Sequence, residues 1–346
     1  MSAPRVTFKA LWRRAVGRTP AEWMINLLVL LTLLWVLGSV LSWSVLSATP
    51  PWSDAAACEA NTGACWPFLT EKTPLILFGT FPYDERWRAM AVSAVLLCLS
   101  ALTLFQAVTW RWQVLGWISG VVAFVVLMGG GVWGLSSVPD TQWNGLPVLL
   151  FLGTVSLAAA LPVGLAMALC RHAKRAWLRV PATVVIETLR GIPMVAVLFF
   201  GVFVLPQLLG AFKPSAMHAA LLVLVFFHAA YVAEDLRSGL QSVPRGQWES
   251  AQSLGLSHAQ IMRLVVLPQA VKSATPALTN TAIGGFKDTS LIVLVGLHDL
   301  ISTARMSFSE VEWQSYALEA YALVGAIFFV LNGAIARAGR RLEQRA

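Results

Sequence analysis

Charge is scarce in this sequence. Asp, Glu, Lys and Arg make up 12% of the 346 residues, about half the share found in a water-soluble domain, which excludes an ordinary soluble globule. Cysteine and histidine are also few, four and five respectively, and none falls at the spacing of a metal site. No G-x-x-x-x-G-K-[ST] stretch occurs, so the chain has no phosphate loop with which to hold ATP. No nucleophile and base stand at a recognisable spacing, which argues against a membrane-embedded enzyme. A basic face on a soluble domain is missing too, so the net charge of +8 does not point to nucleic acid. No fixed-period repeat is present.

Apolar sequence is what the chain has in quantity: 57% of residues are hydrophobic and the mean hydropathy is +0.70. Several runs reach about 20 residues, enough for a helix to cross about 30 Å of hydrocarbon. The expected fold is an all-α polytopic membrane protein of about eight transmembrane helices, at roughly 24–47, 89–109, 114–136, 146–170, 182–209, 216–233, 275–297 and 316–336. The first run follows a basic segment, as in a signal peptide. It is too long for that role and lacks a small-x-small site before a soluble domain, so it reads as a retained anchor. An even number of spans puts both termini on one side. Arg5, Lys9, Arg13, Arg14 and Arg18, then Arg171, Lys174, Arg175 and Arg179, then Arg337, Arg340, Arg341 and Arg345 predict that this side is the cytoplasm.

Two parts are expected. Residues 1–145 hold three helices and an external, periplasmic loop at about 48–88, and a polar break at Pro139 to Asn144 leads into five further helices at 146–340. The first part reads as a scaffold packed through Gly129-Gly130-Gly131 and other small residues. In the external loop Cys58 and Cys65 can pair in an oxidising compartment; two unpaired thiols are an equally open alternative. Cys98 and Cys170 read as apolar filler.

The polar stretch GQWESAQSLGLSHAQIMRLVVLPQA, residues 246–270, stands out in such a chain. Pro244 sits near a helix start, Gly255 can supply the left-handed turn that ends the helix, and Ser257 to Gln260 has the pattern of a capping box for a second helix. Leu267-Pro268 is expected to stop that second helix. The result is a helical hairpin in the longest cytoplasmic loop, about 234–274, presenting small residues at Ser250 and Ala251 as a docking knob. An amphipathic helix lying in the membrane interface is the plainer alternative.

Glu249-x-Ala251-x-x-x-Gly255, followed after nine residues by Val265-x-Leu267-Pro268, resembles the EAA loop of ABC importer permeases. Val265 stands where Ile is usual, and Ser250 where Ala is usual. The likeness extends through Gly153-Thr154 to Leu169, Glu187-Thr-Leu-Arg190-Gly191-Ile-Pro193, Ala230-Tyr231-x-Ala233-Glu234-x-x-Arg237 and Phe286-Lys287-Asp288-Thr289-Ser290-Leu291, which are similar to the polar amino-acid branch. The leader, with Ala64-Cys65-Trp66-Pro-Phe68 and Glu85-Arg86-Trp87-Arg88, is similar to the M-type membrane subunit of the general L-amino acid importer. The resemblance implies a type I ABC importer permease core with an N-terminal three-helix extension, in a bacterial inner membrane. It implies a coupling loop at 244–270 whose Glu249, Ser250, Ala251, Gly255, Leu267 and Pro268 meet an ATP-binding subunit. It further implies two copies of that ATPase, a second homologous permease subunit and a periplasmic amino-acid-binding protein. No cofactor is expected on this chain, with ATP and Mg held by the partner ATPase.

Charged and polar residues in the spans mark a candidate substrate pathway: Glu187, Arg190, Asn280, Lys287, Asp288 and Thr289. Lys287 and Asp288 follow Gly284-Gly285. They either serve an amino-acid zwitterion or form a structural pair locking their helix to a neighbour. Glu187 and Arg190, one turn apart, are expected to bridge each other, and Gly191-Ile-Pro193 is expected to bend the helix directly after them. Glu234, Asp235 and Arg237 are expected on a solvated helix end. Thr281 is expected to bond its own helix backbone, and His228 to bond between helices. An ion-coupled secondary amino-acid carrier is the alternative function, since midplane acids and broken helices also fit that class.

Overall fold

The computed structural model describes residues 19–54, 56–210 and 214–345. Arg5, Lys9, Arg13, Arg14 and Arg18, which bear on the expected topology, lie outside them. The described residues are helical, with a single isolated β-bridge between Thr49 and Cys65. Among the described residues six helices are long and apolar enough to cross a membrane, and two bent pairs raise the number to eight if each pair is one span. This agrees with the expected fold. The chain divides into two compact units between Lys72 and Thr73.

In the first unit, α1 (Pro20–Leu41) opens on Thr19, whose hydroxyl accepts the Glu22 amide at 3.2 Å. None of its residues is buried, as expected of a helix whose apolar sides all meet lipid. A π-helical turn at Ser42–Leu46 ends it. Beyond it the chain folds back: Ala64 N–H donates to Trp43 O at 2.8 Å, Trp66 Nε1–H to Ser44 O at 2.9 Å, and Thr49 N–H to Ala64 O at 2.8 Å. Cys58 and Cys65 form a disulfide, with Cα atoms 5.4 Å apart, and this decides between the two open alternatives.

The second unit begins within α2 (Trp66–Phe78) and continues through α3 (Arg86–Leu104), α4 (Trp110–Gly129), α5 (Leu146–His172), α6 (Ala176–Gly191), α7 (Met194–Phe199), α8 (Ala216–Ser242), α9 (Arg245–Ser253), α10 (Leu267–Asp288), α11 (Leu300–Ser307) and α12 (Ala317–Arg345). α8 is the central helix, with 15 of its 27 residues buried. Small residues let its neighbours approach. A Cβ at Gly164 of α5 would fall 2.7 Å from Ala229 O, and one at Gly285 of α10 would fall 3.0 Å from His228 Nε2. In lipid, where tails are as apolar as side chains, such close packing is what holds helices together.

Three expectations change. Gly129-Gly130-Gly131 is not a helix-packing surface. It ends α4 in a left-handed turn, with Gly130 and Gly131 at φ 65° and 76°, and Arg88 fills the space beside it, fully buried and donating to Leu127 O and Ser136 O. The fifth span bends where Gly191-Ile-Pro193 is expected to bend it: α6 and the helical run Met194–Leu208 meet at 112°. Pro193 has no N–H to continue the ladder and holds Ile192 extended. The sixth span does not end at 233, because α8 runs on to Ser242. Leu267-Pro268 does not stop a helix, because helical turns continue from His258 to Val295. A π-helical stretch at Ile261–Val266 precedes Pro268, and its wider turn makes room for the proline ring and needs no N–H from it.

Candidate functional site

Two features hold most of the residues singled out above. The first is the projection after α8. Pro244 turns the chain and α9 runs from Arg245 to Ser253. Gly255 then takes φ 75° with open space around it, a conformation that needs glycine. The capping box forms as read: Ser257 Oγ accepts from Gln260 N–H, and Gln260 Oε1 accepts from Ser257 N–H at 2.9 Å. A small core of Leu240, Val243, Ala251, Ile261, Val266 and Ala270 fixes the projection to α8 and α10. Trp248 covers its edge, ring to ring with His258 at 5.5 Å. Ala251 is therefore turned inward and is 4% exposed, so the expected Ser250–Ala251 docking face does not exist as such. Glu249, Ser250 and Pro268 are exposed and Leu267 half-buried. Leu254 stands at the tip, 80% exposed. The sequence reading missed it, although a leucine next to the corner glycine in a polar loop is a readable signal.

The second feature is an open cavity of about 670 Å³ between the α6–α7 bend, α8 and α10, lined among others by Arg190, Tyr231, His228, Asn280 and Asp288. Proline placed Arg190 there, because the bend after Gly191 turns the end of α6 toward α8. The carboxylate of Asp288 lies 3.5 Å from His228 Nε2. Among the described residues neither His228 nitrogen nor Arg190 Nε has a hydrogen-bond partner, although all three atoms are buried. Asn280 and Asp288 line this space from α10, with the diglycine Gly284-Gly285 between them in sequence. The cavity thus offers a cation and a carboxylate with spare hydrogen-bonding capacity.

The expected pairs are rearranged. Lys287 is exposed and makes no ion pair with Asp288, because successive residues on a helix point about 100° apart. Thr289 is buried and donates to Phe286 O at 2.7 Å, away from the cavity. Glu187 does not bridge Arg190. It is exposed and binds Arg171 of α5 at 2.7 Å, whereas Arg190 reaches Glu234 at 3.4 Å. Glu234 is not solvated: it also takes Arg171 at 3.1 Å and Arg237 one turn on. Thr281 bonds across to Asp235 Oδ2 at 2.6 Å and not to its own backbone. His228 makes no interhelical hydrogen bond among the described residues.

Known proteins share this architecture. The family described as "Binding-protein-dependent transport system inner membrane component" matches residues 160–346. The inner membrane amino-acid ABC transporter permease protein YhdY of Escherichia coli (strain K12) is 33% identical over 331 residues, 94% of this chain and 90% of its own. The glutamate/glutamine/aspartate/asparagine transport system permease protein BztC of Rhodobacter capsulatus is 28% identical, over 91% of this chain and 90% of its own. A solved structure described as an amino acid ABC transporter with histidines is 31% identical, with a TM-score of 0.52, over 57% of this chain and 90% of that one. Fold and matches together define an inner-membrane permease component of a binding-protein-dependent transporter. The chain belongs to the amino-acid ABC transporter permease family. It is a transport subunit and not an enzyme; in this family ATP hydrolysis resides on a separate subunit, and a binding protein delivers the cargo. The ion-coupled carrier is thereby set aside.

Proposed function

We propose that this chain is the M-type permease subunit of an importer of L-amino acids of broad or polar specificity, and that the cavity beside α8 is part of the substrate route. An amino-acid zwitterion needs a donor for its carboxylate and an acceptor for its ammonium. Arg190 and Asp288 supply one of each, and Asn280 adds an amide. The unpartnered buried Arg190 Nε is the observation that carries the reading, since an orphaned donor at a cavity wall is costly unless a ligand or water satisfies it. Relatives with polar-amino-acid names support the class of cargo.

In this reading residues 1–145 extend a five-helix core at 146–340, and both termini and the 244–270 projection face the cytoplasm. The projection docks on an ATPase present in two copies, which holds ATP and Mg; Glu249, Ser250 and Leu254 make the contact, while Ala251, Gly255, Leu267 and Pro268 shape it. A second homologous permease subunit completes the pathway, and a periplasmic amino-acid-binding protein loads it. The test is uptake of polar L-amino acids by the whole complex in vesicles. Asn280→Leu alters the cavity wall at an exposed side chain with no hydrogen bond among the described residues, so the complex should assemble normally and transport slowly. An unchanged rate per complex would remove the cavity from the route.

A further inference from the structure

A second cavity, of about 400 Å³, lies on the other side of α10, bounded by α3, α4, α5, α10 and α12. Its wall is carbon, from residues such as Leu97, Leu157, Leu161, Leu278 and Val330. The few hydroxyls in that wall all donate elsewhere: Ser100 to Leu96 O at 2.7 Å, Thr103 to Leu99 O at 2.8 Å, Thr154 to Leu150 O at 2.5 Å, and Thr281 to Asp235 at 2.6 Å. Trp117 Nε1–H is spent on Thr103 Oγ1 at 3.0 Å. An amino acid would find nothing to replace its water here, so the cavity is no part of a polar route. A flexible hydrocarbon chain meets this condition.

One end of this cavity is marked by charge. Phe105, which lines it, carries the guanidinium of Arg341 5.3 Å from its ring centroid. Arg341 is exposed and has no carboxylate partner among the described residues, and Arg340 beside it and Arg337 one turn back are exposed as well. Trp110 and Trp112, each 69% exposed, begin α4 just after the turn that follows Phe105. Exposed tryptophans of this kind mark the level where headgroups meet hydrocarbon. A carbon-lined slot that opens at the headgroup level under an unpaired arginine is complementary to a phosphate with an acyl chain attached.

We propose that this cleft is a binding site for one anionic phospholipid, its acyl chain between α3, α5, α10 and α12 and its phosphate on Arg341. The site is independent of the substrate route, although α10 and Thr281 form part of the wall of both cavities.

The test uses the intact complex, purified in mild detergent from membranes and exchanged into nanodiscs of equal phosphatidylglycerol and phosphatidylethanolamine, with retained lipid read by native mass spectrometry. Wild type should keep a phosphatidylglycerol bound preferentially. Arg341→Gln should lower that preference about fivefold while lipid is still retained. Ala158→Phe, placed at an exposed alanine of the wall, should fill the slot and abolish retention with normal complex yield. Equal retention of the two lipids by wild type, or full retention by Ala158→Phe, would overturn the proposal. Cross-linking of Ala158→Cys to a protein subunit in place of lipid would overturn it as well.

Discussion

Arg171 and Glu234, 63 positions apart in sequence, sit 3.1 Å from each other, and the pair ties the end of α5 to α8 in the half-buried heart of the bundle. Arg190 and Arg237 reach the same carboxylate, so three guanidiniums converge on one acid and the cluster keeps a net positive charge. Glu234→Gln should remove the charge that all three share, leaving Arg171 with Glu187 alone, and destabilise the subunit by about 2 kcal/mol. Glu187→Gln, at an exposed acid touching only Arg171, should cost under about 1 kcal/mol. Thermal unfolding of the two purified variants checks the order; equal losses would show that Glu234 is not the hub.

Gly255→Val should assemble and insert normally, since open space surrounds the residue, but φ 75° strains a β-branched residue by about 1–2 kcal/mol and reshapes the corner. In a reconstituted complex, uptake should fall and ATP hydrolysis should lose its stimulation by loaded binding protein. Wild-type coupling in that variant would end the assignment of the projection as the ATPase contact.

The disulfide gives a topology test. In a chain carrying Cys98→Ala and Cys170→Ala, a membrane-impermeant maleimide applied to intact cells should label Cys58 and Cys65 only after mild reduction. Labelling that requires broken cells would reverse the proposed orientation.

Asp288→Asn separates transport from folding more cleanly than the sequence alone allowed. Because Lys287 is exposed and does not pair with Asp288, the substitution strands no buried lysine, and complex yield should hold. Initial uptake per complex should drop roughly tenfold or more, the worth of one charged hydrogen bond. A lowered yield with an unchanged rate would make Asp288 a structural acid.

Much of the site was legible because it depended on local chemistry. Gly255 needed a left-handed corner and the Ser257–Gln260 pair needed a helix start, and both are set by neighbours in sequence. The ion pairs were not legible. Glu187 and Arg190 are ideally spaced to bridge, yet each finds a better partner on another helix, and only the fold brings Arg171 and Glu234 within reach. Ala251 shows the same limit: its small size was read as an invitation to a partner, whereas it admits the chain's own core.

Residue order was enough to assign the protein to a membrane and to tell about how many times it crosses and where its polar hairpin turns, because lipid demands long apolar helices and turns demand particular residues. Tertiary structure decided which charges meet, which face of the hairpin is free and that two cavities, one polar and one of carbon, share a helix as their wall. Those outcomes depend on helix bends and rotations, which turn side chains toward partners that no local spacing encodes.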